Sequence, residues 1–540
     1  MKPIIADSHD FRALIERGAV YVDKTGLLFD LVSGDRGSRF FISRPRRFGK
    51  SLMLSTLAAL FQGEREYFKD LEITRRDYDF RPFPVIQLDM TGVLAPTAEA
   101  LEQSLKVKIR ELVEDFSIEI NEKDYPTSGL YFGALIRALF KRDGKIVVLV
   151  DEYDAPVNGF LMQKDAMDSM RTVLHDFYVQ IKSHDEKIRF IMMTGVSKLA
   201  KLSVFSGLNN LRDLTMMPEM AGLLGYTRDE ILQYFGGYLD DFAKMSGVSS
   251  EQKLEELLAW YDGYRFSPRS DLKVTNPVSL GLALDNRYIR NYWESTGNAK
   301  MVYDVLKQRC VIPAELNEIA VSVSDLDAYD AGKMKTATLL YQVGYLTIGD
   351  VMQHDLLKLR LPNREVDSSV HSGLLSHLIG ERASAFEEQA GRARAALWNQ
   401  VGNPAGVIQR TLHAAFALIP YEWKIRNEAE AKRMFLFYCK FMGADITGEV
   451  QSCLGRADAV LKSPRAIYVF EFKYDHSSEN ALQQNRDAGY ADPYGDDDRA
   501  VYRVGVNFNS STRNIDDPII EEVKSPGIGI ASDESPDQEG

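Results

Sequence analysis

The chain has 540 residues, of which 45% are hydrophobic and 26% charged, and its formal net charge is −13. This length accommodates roughly two to four domains with separate cores, and the composition is that of an ordinary globular protein. No run of about 18 apolar residues occurs, so no membrane span is expected. The acidic balance argues against a general coat for polyanions, although a local basic surface can still bind nucleic acid.

Cysteine usage and the N-terminus indicate the compartment. Cys310, Cys439 and Cys453 are widely separated, which fits neither a disulfide framework nor a thiolate metal site. The segment 1–18 lacks a long apolar core followed by a small-residue cleavage site, so a signal peptide is not expected. Together these features favour a cytoplasmic protein.

The first part of the chain, to about residue 225, alternates strand-like apolar runs with helical stretches. This alternation predicts a parallel α/β sheet. The predicted strands are Arg39–Ser43, 84–88, 146–150 and 189–193. Residues 226–350 are mostly helical in pattern, with helices at 227–238 and 251–261.

A phosphate-binding loop is predicted directly after the first strand. The order is strand, loop, Gly49-Lys50-Ser51 and a helix to Phe61. In such a loop the helix N-terminus and backbone amides hold phosphates, the lysine reaches the β- and γ-phosphates, and the serine binds Mg²⁺. Arg44 stands where the usual pattern has its first glycine, so the loop backbone is less free than usual.

The second half of a nucleotide site follows the apolar strand 146–150. This strand runs into Asp151 and Glu152, the Walker B arrangement, in which the first acid holds Mg²⁺ through water and the second activates the hydrolytic water. Thr194 follows the strand 189–193 and could sense the γ-phosphate. The alternative is a plain helix start and a solvated acidic loop, but both motifs in strand contexts favour ATP and Mg²⁺ as cofactors. The predicted nucleotide-binding residues are Arg46, Arg47, Phe48, Gly49, Lys50, Ser51, Asp151 and Thr194.

A second chemical motif lies near the C-terminus. Asp458 precedes the β-branched and aromatic run 467–473, which contains Glu471 and Lys473. Side chains alternate faces along a strand, so Glu471 and Lys473 point the same way. A buried strand rarely carries two such charges unless they serve each other or a ligand. Two carboxylates and a lysine at one spot can bind a divalent cation and position a water for phosphodiester attack.

The helix predicted at 427–442 supplies a third acid. Its apolar face predicts that Glu428 lies nearer the centre of that face than Glu430 does. Glu428 is therefore the preferred inward-facing carboxylate. The alternative for the whole set is an exposed Glu471–Lys473 pair at a strand end, with Asp458 as a turn residue.

The chain resembles AAA-ATPase-like domains that are fused to a PD-(D/E)XK nuclease in bacteria and archaea. The resemblance covers nearly the whole chain and includes Arg44 as a trait of the family loop. The matching motifs are 21–25, 44–51, 151–156, 194–198, 205–211, 261–266, 276–277 and 340–346, together with the Asp458, Glu471 and Lys473 set.

The resemblance implies metal-assisted hydrolysis in the C-terminal domain. Asp458 and Glu471, with the backbone carbonyl of Phe472, would hold one or two Mg²⁺ or Mn²⁺ ions, and Lys473 would orient the attacking water or stabilise charge on the phosphate. Gln484 matches a family glutamine that positions substrate or water. The expected function is ATP hydrolysis with metal-dependent DNA cleavage, in defence or mobile-element biology. The alternative is a nucleotide-dependent switch whose nuclease-like domain binds nucleic acid or a partner without cleaving.

The expected fold class is α/β, with a P-loop NTPase parallel sheet, a helical or winged-helix lid and a smaller restriction-endonuclease-like domain. A homo-oligomer is one possible assembly, since related ATPases often complete their site with an arginine from a neighbouring subunit. The predicted domains are 1–225 (ATPase), 226–350 (lid), 351–395 (connector), 396–524 (nuclease-like) and 525–540 (disordered acidic tail).

Three further groups of residues have both a structural and a functional interpretation. The aromatic cluster at 260–266 could stack on bases, but this spacing is more typical of a core. Asp496, Asp497 and Asp498 could suggest a metal cluster, but consecutive acids in a loop are usually solvated. The loop arginines, including Arg44, could contact phosphates or lie in solvent.

Overall fold

The structure of the chain is a computed structural model that divides into two compact units, Met1–Gly297 with Leu316–Asp367, and Asn298–Glu315 with Ser368–Gly540. The predicted tail 525–540, residues 205–209 of one family motif, Cys310 and Cys453 lie outside the described residues. The described residues are 1–35, 37–93, 96–158, 164–198, 210–293, 299–308, 316, 318–326, 335–352, 355–379, 388, 391–392, 395, 404–417, 425–441, 444–452 and 455–524.

The first unit is built on a parallel five-stranded sheet in the order β2-β3-β4-β1-β5. Its strands are β1 (Arg39–Ser43), β2 (Val85–Asp89), β3 (Ile146–Asp151), β4 (Ile188–Gly195) and β5 (Arg212–Asp213). The strand β4 lies between β1 and β3, so the loops that follow these three strands meet at the carboxyl edge of the sheet. That edge is where open α/β sheets bind ligands. The four predicted strands and the parallel sheet are confirmed.

Several helices of the first unit share one hydrophobic core with this sheet. On α4 the buried residues Leu101, Leu105 and Ile109 recur at helical spacing and face that core. The helices are α1 (Phe11–Glu16), α2 (Thr25–Val32), α3 (Lys50–Phe61), α4 (Ala98–Asp115), α5 (Ser128–Asp143), α6 (Ala155–Asn158) and α7 (Lys164–Ser183).

The rest of the first unit contains helices and a small antiparallel sheet. The helices α8 (Arg228–Ser246) and α9 (Ser250–Tyr261) each begin with a capping box, in which the first side chains satisfy unpaired backbone amides. The helix α10 (Pro277–Asn286) packs with them. Tyr261 and Tyr264 are fully buried, so the interpretation of the aromatic cluster as core is confirmed for them.

The small sheet has the order β6-β8-β7, with all pairs antiparallel. It comprises β6 (Ile319–Ser322), β7 (Thr347–Val351) and β8 (Leu356–Arg360), with the short helices α12 (Val323–Leu326) and α13 (Thr336–Gln342) between β6 and β7. The boundary predicted at residue 350 therefore falls inside a sheet, because β8 lies in the segment predicted as a connector. The domain boundaries as a set stay predictions.

The second unit is a mixed sheet of six strands in the order β13-β12-β11-β10-β9, with β14 paired to β12. A helix between β11 and β12 provides the crossover that two parallel neighbours require. This second α/β domain confirms the predicted fold class. The strands are β9 (Asp445–Ser452), β10 (Gly455–Lys462), β11 (Ala466–Tyr474), β12 (Ala500–Asn509), β13 (Asn514–Ile515) and β14 (Ile519–Lys524).

The helices of the second unit include the one predicted to carry an inward acid. On this helix, α16 (Glu428–Phe441), the ring of Phe435 lies 4.8 Å from that of Phe470 and 4.7 Å from that of Phe472, both on β11. This packing fixes one face of α16 on the centre of the sheet. The helices are α11 (Ala299–Gln308), α15 (Pro404–Ala417), α16 (Glu428–Phe441) and α17 (Ser478–Asp487), while α14 (Arg364–Ile379) contains the boundary of the two units. None of the helices described is both long enough and apolar enough to cross a bilayer.

Gly505 allows α17 to lie close to β12. A Cβ atom at this position would lie 2.3 Å from the carbonyl oxygen of Ser478 and 2.6 Å from the amide nitrogen of Leu482. Both are backbone atoms, so a Gly505→Ala substitution must push the helix away from the strand. We expect a loss of about 1–3 kcal/mol in the free energy of unfolding, measured by urea denaturation.

The matched control is Gly236→Ala on α8, where no atom lies within 4 Å of the added carbon. Alanine is favoured over glycine inside a helix, so this control should leave stability unchanged or raise it. If Gly505→Ala were equally harmless, the close approach of α17 to β12 would be wrong.

Candidate nucleotide and nuclease sites

The loop after β1 turns sharply into α3. Gly49 has φ +90°, a conformation that glycine adopts at little cost, and α3 begins at the next residue, Lys50. The buried Lys50 donates hydrogen bonds to the carbonyl oxygens of Arg44 (2.9 Å) and Pro45 (3.0 Å) and forms an ion pair with Glu152 at 3.1 Å. The ammonium group therefore lies at the helix N-terminus, where a phosphate would be held.

The carboxylate of Asp151 joins the ends of three elements. Ser51 on α3 donates its hydroxyl hydrogen bond to Asp151 Oδ2 at 2.5 Å. Thr194 at the end of β4 donates to Asp151 Oδ1 at 2.5 Å. The structure thus brings together Ser51 and Asp151, which were predicted to bind the magnesium ion, and Thr194, which was predicted to sense the γ-phosphate. Hydroxyl and carboxylate oxygens are the ligand chemistry that Mg²⁺ prefers.

Glu152 lies beside this group in an uncommon backbone conformation. Its φ is +49°, and its backbone amide donates to Thr194 Oγ1 at 3.4 Å. Burial raises the pKa of Glu152, although the ammonium of Lys50 acts in the opposite direction. A carboxylate with a raised pKa is a better proton acceptor near neutral pH, which suits the predicted role in activating water.

Lys50, Ser51, Asp151 and Glu152 line a cleft of about 860 Å³ that is also lined by Arg46 and Asp89. Asp89 ends β2 and pairs in register with Asp151 on β3, so a second acidic strand end enters the same cleft. The sequence reasoning missed Asp89. The signal that could have found it is an acid directly after the apolar strand 84–88, the same pattern that identified Asp151.

An apolar pocket adjoins the loop. Phe48 and Gly49 line it together with mostly apolar residues from other segments of the first unit, although Lys24 and Thr56 also line it. Such a pocket next to a phosphate site can hold a flat apolar ring. Its other lining residues include Ile4, Val22, Leu224, Tyr226 and Val278.

The arginine of the loop that replaces the usual glycine is part of the core. Arg44 is 1% exposed, and its guanidinium lies 4.0 Å from the centre of the Phe266 ring. It donates hydrogen bonds to the carbonyl oxygens of Ser43 (3.0 Å) and Thr215 (2.7 Å), and burial lowers its pKa to about 10. Both alternatives raised from the sequence, phosphate contact and plain solvation, are therefore wrong for Arg44.

Two other residues of the predicted nucleotide set direct their side chains elsewhere. Phe48 is buried, with its ring 4.8 Å from that of Tyr264, so only its backbone is available to a ligand. Arg47, with φ +67°, donates to the carbonyl oxygen of Tyr292 at 3.0 Å. These two side chains anchor the loop to later parts of the first unit.

In the second unit, Asp458 and Glu471 are both almost fully buried, at 7% and 2% exposure. Asp458 lies on β10, and its Oδ2 accepts a hydrogen bond from the backbone amide of Phe472 at 2.7 Å. That bond fixes the carboxylate against β11, next to Glu471. The hairpin of β10 and β11 therefore places both predicted acids at the same point of the sheet.

Lys473 connects Glu471 to the acid on the neighbouring helix. Its Nζ lies 3.4 Å from Glu471 Oε1 and 3.7 Å from Glu428 Oε2, and it donates to the carbonyl oxygen of Phe472 at 3.1 Å. Glu430, the alternative that the sequence disfavoured, instead accepts a hydrogen bond from the backbone amide of Arg426, just before α16. The four residues predicted from sequence thus lie in one cluster, and their catalytic roles stay predictions.

The environment of Glu471 fits a cation. Burial first, and then the charge of Asp458, raise the pKa of Glu471 to about 7. Its Oε2 atom is buried and has no hydrogen-bond partner among the residues described. A buried carboxylate oxygen without a partner is costly unless a positive group compensates it. Together with Asp458 and the carbonyl of Phe472, it forms an all-oxygen donor set of the kind that Mg²⁺ and Mn²⁺ bind.

A second lysine lies in this cluster, and the sequence reasoning missed it. The Nζ of Lys432 on α16 lies 2.5 Å from Asp458 Oδ1 and 3.1 Å from Glu428 Oε1. Its position four residues after Glu428, on the same helix face, is the signal that could have found it. Within the described part of the chain, no three acidic, histidine or cysteine side chains form a ready metal-binding group.

Gln484 lies apart from these contacts. It is exposed on α17, where it lines an open groove with other polar side chains and Tyr490. Its proposed contact with substrate or water stays a prediction. In the acidic run 496–498, Asp497 pairs with Arg499 at 2.7 Å.

Comparisons with known proteins agree with this geometry. Residues 7–205 match the family model described as a predicted AAA-ATPase, and residues 426–518 match that of the PD-(D/E)XK nuclease superfamily. The chain is also 33% identical over 512 residues to a protein of Azotobacter chroococcum mcd 1 described as an uncharacterized protein in the vnfD 5′ region. That similarity covers 93% of this chain and 95% of the relative.

The two matched models define the class as an ATPase-like domain joined to a nuclease-superfamily domain. The chain belongs to the family of AAA-ATPase-like proteins with a C-terminal PD-(D/E)XK domain, and the Azotobacter protein is a relative along nearly its whole length.

Two solved structures are also similar. The ORC2 protein of Aeropyrum pernix is 12% identical, with 66% of this chain and 92% of that chain covered and a TM-score of 0.27. Cdc6p of Pyrobaculum aerophilum is 10% identical, with 66% and 93% covered and a TM-score of 0.20.

Near the nucleotide loop, the buried Glu365 and Arg47 both form hydrogen bonds with the backbone of Tyr292. Glu365 Oε1 accepts a hydrogen bond from the backbone amide of Tyr292 at 2.8 Å, while Arg47 donates to the carbonyl of Tyr292. Glu365 is 0% exposed, and burial raises its pKa to about 7. The folded protein therefore holds a proton on this carboxyl more tightly than the unfolded chain does.

A raised pKa makes stability depend on pH. Between the ordinary value of 4.5 and about 7, the folded state binds more protons at Glu365, so the free energy of unfolding falls as the pH rises. Glu365→Gln keeps an oxygen for Tyr292 and cannot ionise. Between pH 5 and pH 8, the free energy of unfolding of this variant should rise by about 1–3 kcal/mol relative to that of the parent, measured by urea denaturation at both values. A difference that does not change with pH would contradict the buried, titrating carboxyl.

Proposed function

We propose that the first unit binds and hydrolyses ATP. The proposal rests on the connected group at the carboxyl edge of the sheet, in which Lys50 contacts Glu152 while Ser51 and Thr194 contact Asp151. A phosphate at the start of α3 would draw the ammonium of Lys50 away from Glu152, which then becomes free to accept a proton from water. Mg²⁺ bound through Ser51 and Asp151 would neutralise phosphate charge. The apolar pocket beside Gly49 suits the base.

We further propose that the second unit cleaves DNA. The observation that carries this proposal is the meeting of Glu428, Asp458, Glu471 and Lys473 around a buried carboxylate oxygen without a partner. Asp458, Glu471 and the Phe472 carbonyl would hold Mg²⁺ or Mn²⁺, which makes a bound water more acidic and offsets charge on the phosphate. Lys473 orients that water or stabilises the developing charge.

The substrate and the setting are further parts of the proposal. DNA is the expected partner, with Gln484 as a contact to substrate or water. Since one chain carries both sites, we propose that the nucleotide state controls cleavage, in the cytoplasm, as part of a defence or mobile-element system. A homo-oligomer would allow a neighbouring subunit to complete the ATPase site.

One observation favours a second function for the nuclease-like domain. The ammonium of Lys432 contacts Asp458 Oδ1, an oxygen that a metal ion would need. If that contact is permanent, the domain binds nucleic acid or a partner without cleaving, and the protein is a nucleotide-dependent switch.

The ATP proposal is tested at Lys50. Lys50→Ala removes a buried charge that phosphates would contact, so ATP affinity should fall by about 10–100-fold, measured by isothermal titration calorimetry. The control is Lys244→Ala, an exposed lysine on α8, which should bind ATP as the parent does.

The same variant tests the control of cleavage. Lys50→Ala should respond to ATP less than the parent in a plasmid nicking assay. If both proteins cleave equally with and without ATP, cleavage is not governed by the nucleotide.

The cleavage proposal is tested at two residues of the cluster. Asp458→Asn removes a ligand charge and Lys473→Ala removes the ammonium, and each should lower Mg²⁺-dependent nicking of supercoiled plasmid by about 100-fold or more. The control is Asp445→Asn, an exposed acid at the start of β9, which should cleave as the parent does. Activity that survives both substitutions would come from another site.

A further inference from the structure

The ammonium of Lys432 is held between two carboxylates of the nuclease-like site. It contacts Asp458 Oδ1 at 2.5 Å and Glu428 Oε1 at 3.1 Å. Its side chain is 20% exposed and that of Asp458 is 9% exposed, so the contact with Asp458 is largely shielded from water. The Coulomb attraction between two charges shielded in this way is stronger than that between charges on the surface.

The two lysines of the cluster contact different carboxylate oxygens. Lys473 contacts Glu471 Oε1 and Glu428 Oε2, whereas Lys432 contacts the other oxygen of Glu428 and Asp458 Oδ1. The remaining oxygen of Asp458 already accepts from the amide of Phe472. Both oxygens of Asp458 are therefore engaged.

A divalent cation that binds Asp458 competes with these donors for the charge of the carboxylate, and Lys432 is the donor that can move away. The backbone amide of Phe472 belongs to β11 and cannot move without the strand. The side chain of Lys432 is flexible. Glu428 lies one helical turn away on the same helix, so the ammonium can leave Asp458 and still pair with the Glu428 carboxylate. An ammonium left beside a bound cation would also repel it, because two positive charges about 4 Å apart interact strongly where water is excluded.

We propose that Lys432 is a resident counter-ion of this site: it holds Asp458 and Glu428 in position without metal and competes with the divalent cation for Asp458. Lys432 is thus a positioning residue that sets the metal concentration at which the site fills. The inference rests on the metal-dependent function proposed above.

Titration of the full-length protein with Mn²⁺ by isothermal titration calorimetry tests this competition. Lys432→Met keeps the side-chain stem and removes the charge, so Mn²⁺ should bind about tenfold more tightly or better. Lys432→Gln keeps a hydrogen-bond donor without the charge and should also bind more tightly, which preserves the test if the methionine variant folds poorly. Lys432→Arg keeps the charge and should bind as the parent does.

The control is Lys440→Met, on the same helix but outside the cluster, which should not change Mn²⁺ affinity. Equal affinity in the parent and both uncharged variants would overturn the competition while leaving the metal site intact, as would weaker binding in both. Binding by the variants and none by the parent would support it. If no protein in the series binds Mn²⁺, the competition and the metal-dependent function both fail.

Discussion

Both sites depend on the pairing of a buried carboxylate with a lysine at the end of a buried strand. Moving a charged group from water into the protein interior costs several kcal/mol, and a nearby opposite charge offsets that cost. Glu152 follows β3 and is compensated by Lys50, and Glu471 lies on β11 and is compensated by Lys473. Lys50 comes from the neighbouring helix α3, whereas Lys473 lies two residues after Glu471 on the same strand. The packing of α3 beside β3 is therefore constrained by the first pair, and the alternation of side chains along β11 is sufficient for the second.

The loop of the nucleotide site shows how the rest of the first unit responds to that constraint. A loop with arginine in place of glycine needs support, and the support comes from the core. Arg44 lies over Phe266, and Phe48 packs against Tyr264. Arg47 reaches the carbonyl of Tyr292. The residues that distinguish this loop from the common pattern thus fasten it to distant segments, so its shape is fixed by tertiary contacts as much as by its own backbone.

Periodicity in the sequence predicted the parallel sheet of the first unit, while short motifs and the family resemblance predicted the second domain and most residues of both sites. The fully apolar run 146–150 indicated a central strand, and the position of Glu428 on an apolar helix face indicated an inward carboxylate. The burial of Arg44 and the contact of Lys432 with Asp458 could not be predicted in this way. Periodicity specifies which face of an element a residue occupies, whereas long flexible side chains choose partners on other elements. Only the tertiary structure specifies those partners.

In the functions proposed above, the two sites differ in the charge of the ligand that must release their lysine. At the first site a phosphate would be negative, so it would attract Lys50 and leave Glu152 without its partner. Phosphate binding and activation of the base would then be one event. At the second site a divalent cation would repel Lys432 and take over its contact with Asp458. Pairs of carboxylate and ammonium would therefore respond to ligands of opposite charge, because Lys50 would move toward the ligand and Lys432 would move away from it.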